Sequence, residues 1–183
     1  MVSRDLFEKF VANALSAGAE VREVPAGENV AVHLAGILGK EGILRLSVSE
    51  DARPLLRDPA GDFVFLPVQE PADFETSQAG IVRADYGVAE TGTLVHLDLG
   101  DVEKMIWTLP PVCAALLDAG KIAGRLADLI PEISAHLEAS CLPGPQVSLV
   151  TGPSRTADIE CQLSIGVHGP SRLLILLYGG PAA

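Results

Sequence analysis

Two stretches of this chain are aliphatic almost without interruption: Val112-Cys113-Ala114-Ala115-Leu116-Leu117 and Leu173-Leu174-Ile175-Leu176-Leu177-Tyr178. A strand with one wet face alternates apolar and polar residues, whereas a strand covered on both faces reads as a continuous apolar run. Runs of this length therefore point to the interior of a parallel sheet with helices on both sides. Composition agrees, because aromatic residues make up only 4 % of a chain that is 48 % hydrophobic. The core has to be built from Val, Leu, Ile and Ala.

The surrounding sequence supplies the alternation such a sheet needs. Leu6, Phe7, Phe10, Val11, Ala14 and Leu15 recur at helical spacing and predict a helix over residues 5–16, stopped by Gly18. A short strand at 19–24, a helix over 28–38 ended by Gly39 and Gly42, and strands at 42–48 and 63–66 follow. Residues 80–83 and 92–97 read as strands on either side of a turn at Asp85-Tyr86-Gly87. Residues 122–138 read as an amphipathic helix in which Pro131 either introduces a kink or starts the second half. Strands at 146–150 and 173–178 close the chain. Helices between strands imply βαβ units with right-handed crossovers. The predicted fold class is α/β, a Rossmann-like, mainly parallel sheet flanked by helices. With 183 residues and no repeat, low-complexity tract or dividing linker, the chain reads as a single domain over 1–183.

Charge narrows the partners. The 13 basic and 24 acidic residues give a net charge of −11. That excludes the basic footprint of a nucleic-acid binder and disfavours anionic membranes. Cys113, Cys141 and Cys161 are odd in number and widely spaced. They suit buried, reduced thiols better than a disulfide framework, a zinc site or an iron–sulfur cluster. His33, His96 and His136 show no metal-ligand spacing. The start of the sequence runs straight into an amphipathic helix, and no stretch approaches the roughly 20 apolar residues of a membrane span. The expectation is a cytoplasmic protein without a metal or cofactor of its own.

Three polar segments follow strands and are the candidates for chemistry. In Ala89-Glu90-Thr91-Gly92-Thr93, Glu90 is an acid/base candidate, while Thr91, Gly92 and Thr93 offer hydroxyls and backbone N–H groups to an anion; the alternative is a locally satisfied turn. Thr151-Gly152-Pro153-Ser154-Arg155-Thr156-Ala157-Asp158-Ile159-Glu160 reads as the opening of a helix. Ser154 or Thr156 would be its cap, Gly152 and Arg155 would complete an anion site, and Asp158 and Glu160 would order Arg155; the alternative is plain capping beside a surface arginine. In Gly166-Val167-His168-Gly169-Pro170, His168 is either a proton donor or acceptor or a turn histidine bonded to the backbone. No Walker A loop, GxGxxG fingerprint or GxSxG elbow is present.

Taken in order, Glu90-Thr91-Gly92-Thr93, Leu109-Pro110-Pro111, Gly152 to Glu160 and Gly166-Val167-His168-Gly169-Pro170 resemble the LUD-domain family, of the lactate utilisation protein C type. The likeness covers residues 80–178, and the Gly-Pro-Ser-Arg-Thr-Ala-Asp-Ile-Glu string is its specific element. The resemblance implies a NagB/RpiA/CoA-transferase-like fold and an accessory role in oxidising L-lactate to pyruvate beside iron–sulfur proteins. Any cluster would then sit on those partners, and a small carboxylate or phosphate would be the ligand of this chain. Two departures stand out. A basic residue expected before Leu109-Pro110-Pro111 and a histidine expected after it are replaced by the neighbourhoods Asp101-Val102-Glu103-Lys104-Met105 and Val112-Cys113-Ala114. The N-terminal region is also short for the family. Two other functions remain open from the residues: a free-standing enzyme on an isomerase- or transferase-like scaffold, with Glu90 as base and Arg155 as clamp, and a regulatory ligand-binding module.

Overall fold

The computed structural model describes residues 2–25, 27–56, 62–140, 144–157, 163–165 and 169–180. Helix α1 (Arg4–Ser16) is capped by Ser3, whose hydroxyl accepts from the Leu6 amide, and it buries Phe7, Phe10 and Ala14. It runs through Gly18, at φ +90°, into strand β1 (Glu20–Glu23). Helix α2 (Val30–Leu38) starts on Asn29, which accepts from the Ala31 amide at 2.8 Å. Strands β2 (Arg45–Val48), β3 (Val64–Phe65), β4 (Ala79–Ala84), β5 (Tyr86–Val88) and β6 (Thr93–Leu97) follow. Then come helix α3 (Asp101–Thr108), β7 (Val112–Asp118), β8 (Ile122–Ala123), helix α4 (Ile130–Ala139), β9 (Val147–Val150), β10 (Arg155–Ala157), β11 (Leu163–Ile165) and β12 (Arg172–Tyr178).

Six strands form a sheet in the order β1-β12-β7-β4-β2-β3, and its pairings are parallel. The two aliphatic runs are its neighbouring central strands. Their side chains alternate between two cores. Cys113, Ala115, Leu117, Leu173, Ile175 and Leu177 pack with α1 and α3, while Ala114, Leu116, Leu174 and Leu176 pack with α2. Burying each Leu or Ile contributes roughly 1.5–3 kcal/mol, so both faces of these strands hold the helices in place. The α/β architecture read from the runs is the one observed.

A second sheet, in the order β8-β5-β6-β9, is antiparallel at β5/β6 and β6/β9. One face reaches the α1 core through Ala89, Leu94 and Ile122. The other holds Val88 and Val95 under Leu129 and Ile133.

Four local expectations change. Asp85-Tyr86-Gly87 is not a turn, because Tyr86 and Gly87 pair with Val95 and Leu94 in β5 and only Asp85 bends. The helix expected over 122–138 begins only at Ile130. Ile122 and Ala123 pair with β5, Leu126–Leu129 form a 3-10 turn, and Pro131 sits in the first turn of α4, where a missing N–H leaves no bond unmade. Residues 101–108, read only for their charges, form α3 and bury Ile106 and Trp107. The segment after β9 opens no helix, since Arg155–Ala157 pair antiparallel with Leu163–Ile165. At β5, β8 and β10 a strand partner satisfies backbone groups that a local pattern assigns otherwise, while α3 is held by the burial of Ile106 and Trp107. Among the described residues no helix is long and apolar enough to cross a membrane.

Candidate functional site

The polar segments singled out above do meet, around the last turn of α1. The β5–β6 connection is a hairpin tip in which Gly92, at φ +67°, donates to the Val88 carbonyl at 2.9 Å. The Asn13 amide of α1 donates to the carbonyls of Ala89 (2.7 Å) and Glu90 (3.1 Å). Thr93 is buried and joins Thr91 (2.7 Å) to Thr151 (2.6 Å) through a chain of three hydroxyls. Gly152, at φ +72°, passes so close to α1 that a Cβ on it would lie 2.2 Å from the Ala17 carbonyl oxygen; one on Gly92 would lie 2.2 Å from the Ala14 nitrogen. Only glycine fits either place. The Ser154 amide donates to the Pro170 carbonyl at 3.0 Å, and the Arg155 guanidinium lies over Gly18, where a Cβ would come within 1.8 Å of Nη2.

Thr91, Gly92, Thr93, Gly152, Ser154 and Arg155 are thus one assembly. Glu90 is exposed at its edge. Thr156 pairs through its backbone with Ser164. Asp158, Glu160 and His168 lie outside the described residues, as do Cys141 and Cys161.

The position of this assembly differs from the one expected of segments that follow strands. Gly18 leads into the first residue of β1, and Ser171, which donates to the Pro111 carbonyl, leads into β12 as Pro111 leads into β7. The assembly therefore sits at the amino end of the six-stranded sheet. Segments 89–93 and 151–155 follow β5 and β9, which belong to the second sheet. Parallel sheets bind ligands beyond the opposite, carboxyl ends of their strands.

That opposite end carries a cavity of about 460 Å³. Its walls are Val24, Pro25 and residues 27–30 between β1 and α2, Pro54 and Leu55 after β2, and Tyr178, Gly179 and Gly180 at the end of β12. Of the polar residues near the carboxyl ends of the central strands, Tyr178 lines it, while Asp118 ends β7 and Arg83 is the next-to-last residue of β4. Tyr178 pairs with Asp118, and Arg83 lies one strand further, paired with Leu116. Strand alternation puts Arg83 with Ile81, and Asp118 with Leu116, on the face covered by α2, where Tyr178 also packs. Asp118 accepts from the Gly120 amide at 2.8 Å. Burial raises the pKa of the Tyr178 hydroxyl; Asp118 and Asp51 add to the rise and Arg83 opposes it. Asp85 is raised too, first by burial, against the Leu97 amide that donates to it at 2.8 Å and against Arg83.

The arginines divide sharply. Arg4, Arg22, Arg45, Arg53, Arg125 and Arg172 each donate a side-chain hydrogen bond. Among the described residues Arg83 and Arg155 are the arginines whose guanidinium has neither a hydrogen bond nor an ion pair. Arg155 is exposed at the amino end, and Arg83 is half-buried at the carboxyl end. The sequence reading passed over Arg83, Asp118 and Tyr178. Their signal was a polar residue closing an aliphatic strand, in Ile-Val-Arg, Leu-Leu-Asp and Leu-Leu-Tyr.

Two other histidines have carboxylate partners. His33 pairs with Glu28, and His136 donates to or accepts from Asp98 at 2.9 Å. His96 stacks edge-on against Trp107, with centroids 4.6 Å apart, and burial depresses its pKa to about 3 against a smaller opposing effect of the Arg83 backbone. Cys113 is a fully buried free thiol whose pKa burial pushes far up. Among the described residues no group of three or more His, Cys, Asp or Glu side chains could hold a metal ion.

Comparison with known proteins fits this architecture. A crystal structure of a DUF162 family protein from Deinococcus radiodurans superposes with a TM-score of 0.73, covering 98 % of this chain and 100 % of that one at 17 % identity, and so shares the fold. The protein YkgG of Escherichia coli strain K12 is 24 % identical over 94 % of this chain and 78 % of its own length. Lactate utilization protein C of Halalkalibacterium halodurans is 36 % identical, and that of Bacillus subtilis 29 %. These two matches span 54 % and 56 % of the chain and only 43 % of either relative. The model of the LUD domain matches residues 69–178, from the 3-10 turn before β4 to the last residue of β12. The chain belongs to the LUD-domain family.

Proposed function

We propose that this chain serves lactate utilisation by binding a small organic anion in the cavity at the carboxyl end of its parallel sheet. The observation that carries the reading is the cavity's place beyond β1 and β12, where a parallel sheet leaves room for a ligand. The names of the lactate utilization protein C relatives supply the pathway. In the oxidation of L-lactate to pyruvate, electrons must pass to an acceptor. We assign that task to iron–sulfur partner proteins, since Cys113, Cys141 and Cys161 lack the spacing of cluster ligands.

A thermal-shift series with L-lactate, pyruvate and inorganic phosphate tests the ligand. A ligand bound only by the folded chain at one hundred times its Kd adds about 2.7 kcal/mol of stability and raises Tm. Leu55→Trp, which fills the cavity from its rim, should abolish the shift. A shift that survives Leu55→Trp would move the ligand elsewhere. The second reading places the anion at the amino end, where the uncommitted Arg155 guanidinium lies over Gly18. Loss of the shift in Arg155→Ala, with Leu55→Trp unaffected, would establish it.

A further inference from the structure

We infer that the free edge of β9 is a self-association surface. A second copy of this chain adds its own β9 antiparallel across a two-fold axis, and two four-stranded sheets become one of eight strands. The surface belongs to the second sheet, uses no residue of the cavity and does not depend on the ligand reading.

A strand that ends a sheet presents unpaired amides and carbonyls, and proteins protect such edges with charge, proline or shortness. Four strands end the two larger sheets. β1 is charged at Glu20, Arg22 and Glu23. β3 and β8 have two residues each, and β8 follows Lys121 directly. β9 has none of these protections. Val147-Ser148-Leu149-Val150 lies inside a stretch, Ala139 to Ser154, without a single Asp, Glu, Lys or Arg, in a chain where 20 % of residues are charged. The nearest prolines, Pro145 and Pro153, lie outside the strand. Register shows which backbone groups are free. The Asp98 amide donates to the Gln146 carbonyl at 2.8 Å, and β9 then pairs residue for residue with β6, from Leu97↔Val147 to Leu94↔Val150. Alternate residues of an antiparallel ladder turn their backbone groups to the same neighbour. Gln146, Ser148 and Val150 therefore bond β6, and the amides and carbonyls of Val147 and Leu149 face outward.

Side chains make the same edge apolar. Leu149 stands opposite Val95, on the face that Leu129 and Ile133 cover, yet it is 50 % exposed. The covering layer is open as well, since α4 fully buries none of its residues and Leu126 and Ile130 are exposed. A two-fold axis normal to the sheet sets outward-facing residues opposite one another, so Leu149 meets either Leu149 or Val147 of the second copy on that face. Both registers give Leu149 an apolar neighbour. Charge selects the occupant. Two copies of a chain of net charge −11 repel one another, and this edge lets them meet without opposing like charges. The carboxylate at its start, Asp98, is already bonded to His136 and to the Gln146 amide. An uncharged edge gives a basic or acidic peptide no charge to recognise, whereas it complements itself.

Sedimentation velocity of the full chain from about 1 to 100 μM tests this, a range over which a micromolar Kd converts monomer to dimer. The wild-type chain should be dimeric at the top of the range, and hydrogen exchange at the Val147 and Leu149 amides should slow as concentration rises. Leu149→Lys puts a charge on the edge and should weaken association by about 10- to 100-fold. Leu149→Pro removes an outward amide and no bond to β6, so it should weaken association equally and keeps the test open if the lysine variant misfolds. Leu109→Lys, at a leucine 47 % exposed outside the second sheet, should dimerise as wild type. A chain monomeric at every concentration overturns the inference and leaves the edge to a strand of another protein. A dimer that survives both Leu149 changes uses a different surface and overturns it too. Loss of the dimer in Leu149→Lys but not in Leu149→Pro overturns the strand pairing, and an equal loss in Leu109→Lys overturns the assignment to this edge.

Discussion

The two ends of the parallel sheet are built in opposite ways. At the amino end, the last turn of α1 is pressed by the β5–β6 tip and by Gly152, three threonine hydroxyls run in a chain, and Arg172 ties β12 to Glu20 and Glu41. At the carboxyl end, β12 finishes on Tyr178 in the wall of a cavity of about 460 Å³, β7 finishes on Asp118, and Arg83, next to last in β4, has no carboxylate within ion-pair distance among the described residues. One end uses its polar groups to bind its own loops. The other holds polar groups in reserve, which is the condition for binding something else. A dense polar cluster is therefore a poor guide to a ligand site when its members already satisfy one another.

Substitutions can break this contrast, and the largest effect is expected where packing is tightest. Gly152→Ala adds a Cβ 2.2 Å from the Ala17 carbonyl oxygen in a left-handed residue. Left-handed strain and overpacking together should cost about 3 kcal/mol in urea unfolding. Thr93→Val removes the middle hydroxyl of the threonine chain and should cost about 1–2 kcal/mol, with ligand binding unchanged. At the other end, Gly179→Ala is left-handed as well, at φ +66°, but its new Cβ would meet only the Asp118 carboxylate, at 3.1 Å. Its cost should be about 1 kcal/mol, from backbone strain alone. Equal losses for Gly152→Ala and Gly179→Ala would remove the packing difference between the ends.

Acid titration sharpens the same contrast with smaller effects of opposite sign. The guanidinium of Arg172 holds Glu20 below the ordinary carboxylate range. Its contribution is present above the unfolded value and is lost as pH falls through the lowered folded value, with screening keeping it small at a side chain 36 % exposed. Burial raises Asp85, so its charged form is a liability above its folded pKa, and that liability is relieved as pH falls through it. Melting curves from about pH 3 to 7 should show Glu20→Gln less stable than wild type toward neutrality. Asp85→Asn should be no less stable at neutral pH and should lack the relief just above the usual carboxylate range. A neutral-pH loss in Asp85→Asn would mean that the bond from the Leu97 amide outweighs burial.

Much of the molecule follows from local sequence. The uninterrupted runs at 112–117 and 173–178 demanded a sheet covered on both faces, because only that environment removes every side chain of a strand from water. Spacing alone placed α1 and α2, and it marked the polar segments at 89–93 and 151–155, which the structure brings together. Strand order was not legible. It puts β12 between β1 and β7, and it assigns β5, β6 and β9 to a separate antiparallel sheet. Backbone hydrogen bonds between residues far apart in sequence decide that arrangement, and side-chain periodicity does not encode them. The same order decides which end of the sheet each loop occupies. Sequence alone therefore determined the family and the aliphatic core. Only the tertiary structure decided that Arg155 stands at the interlocked amino end and Arg83 at the open carboxyl end, because a side chain's neighbours across a sheet are chosen by the pairing of strands.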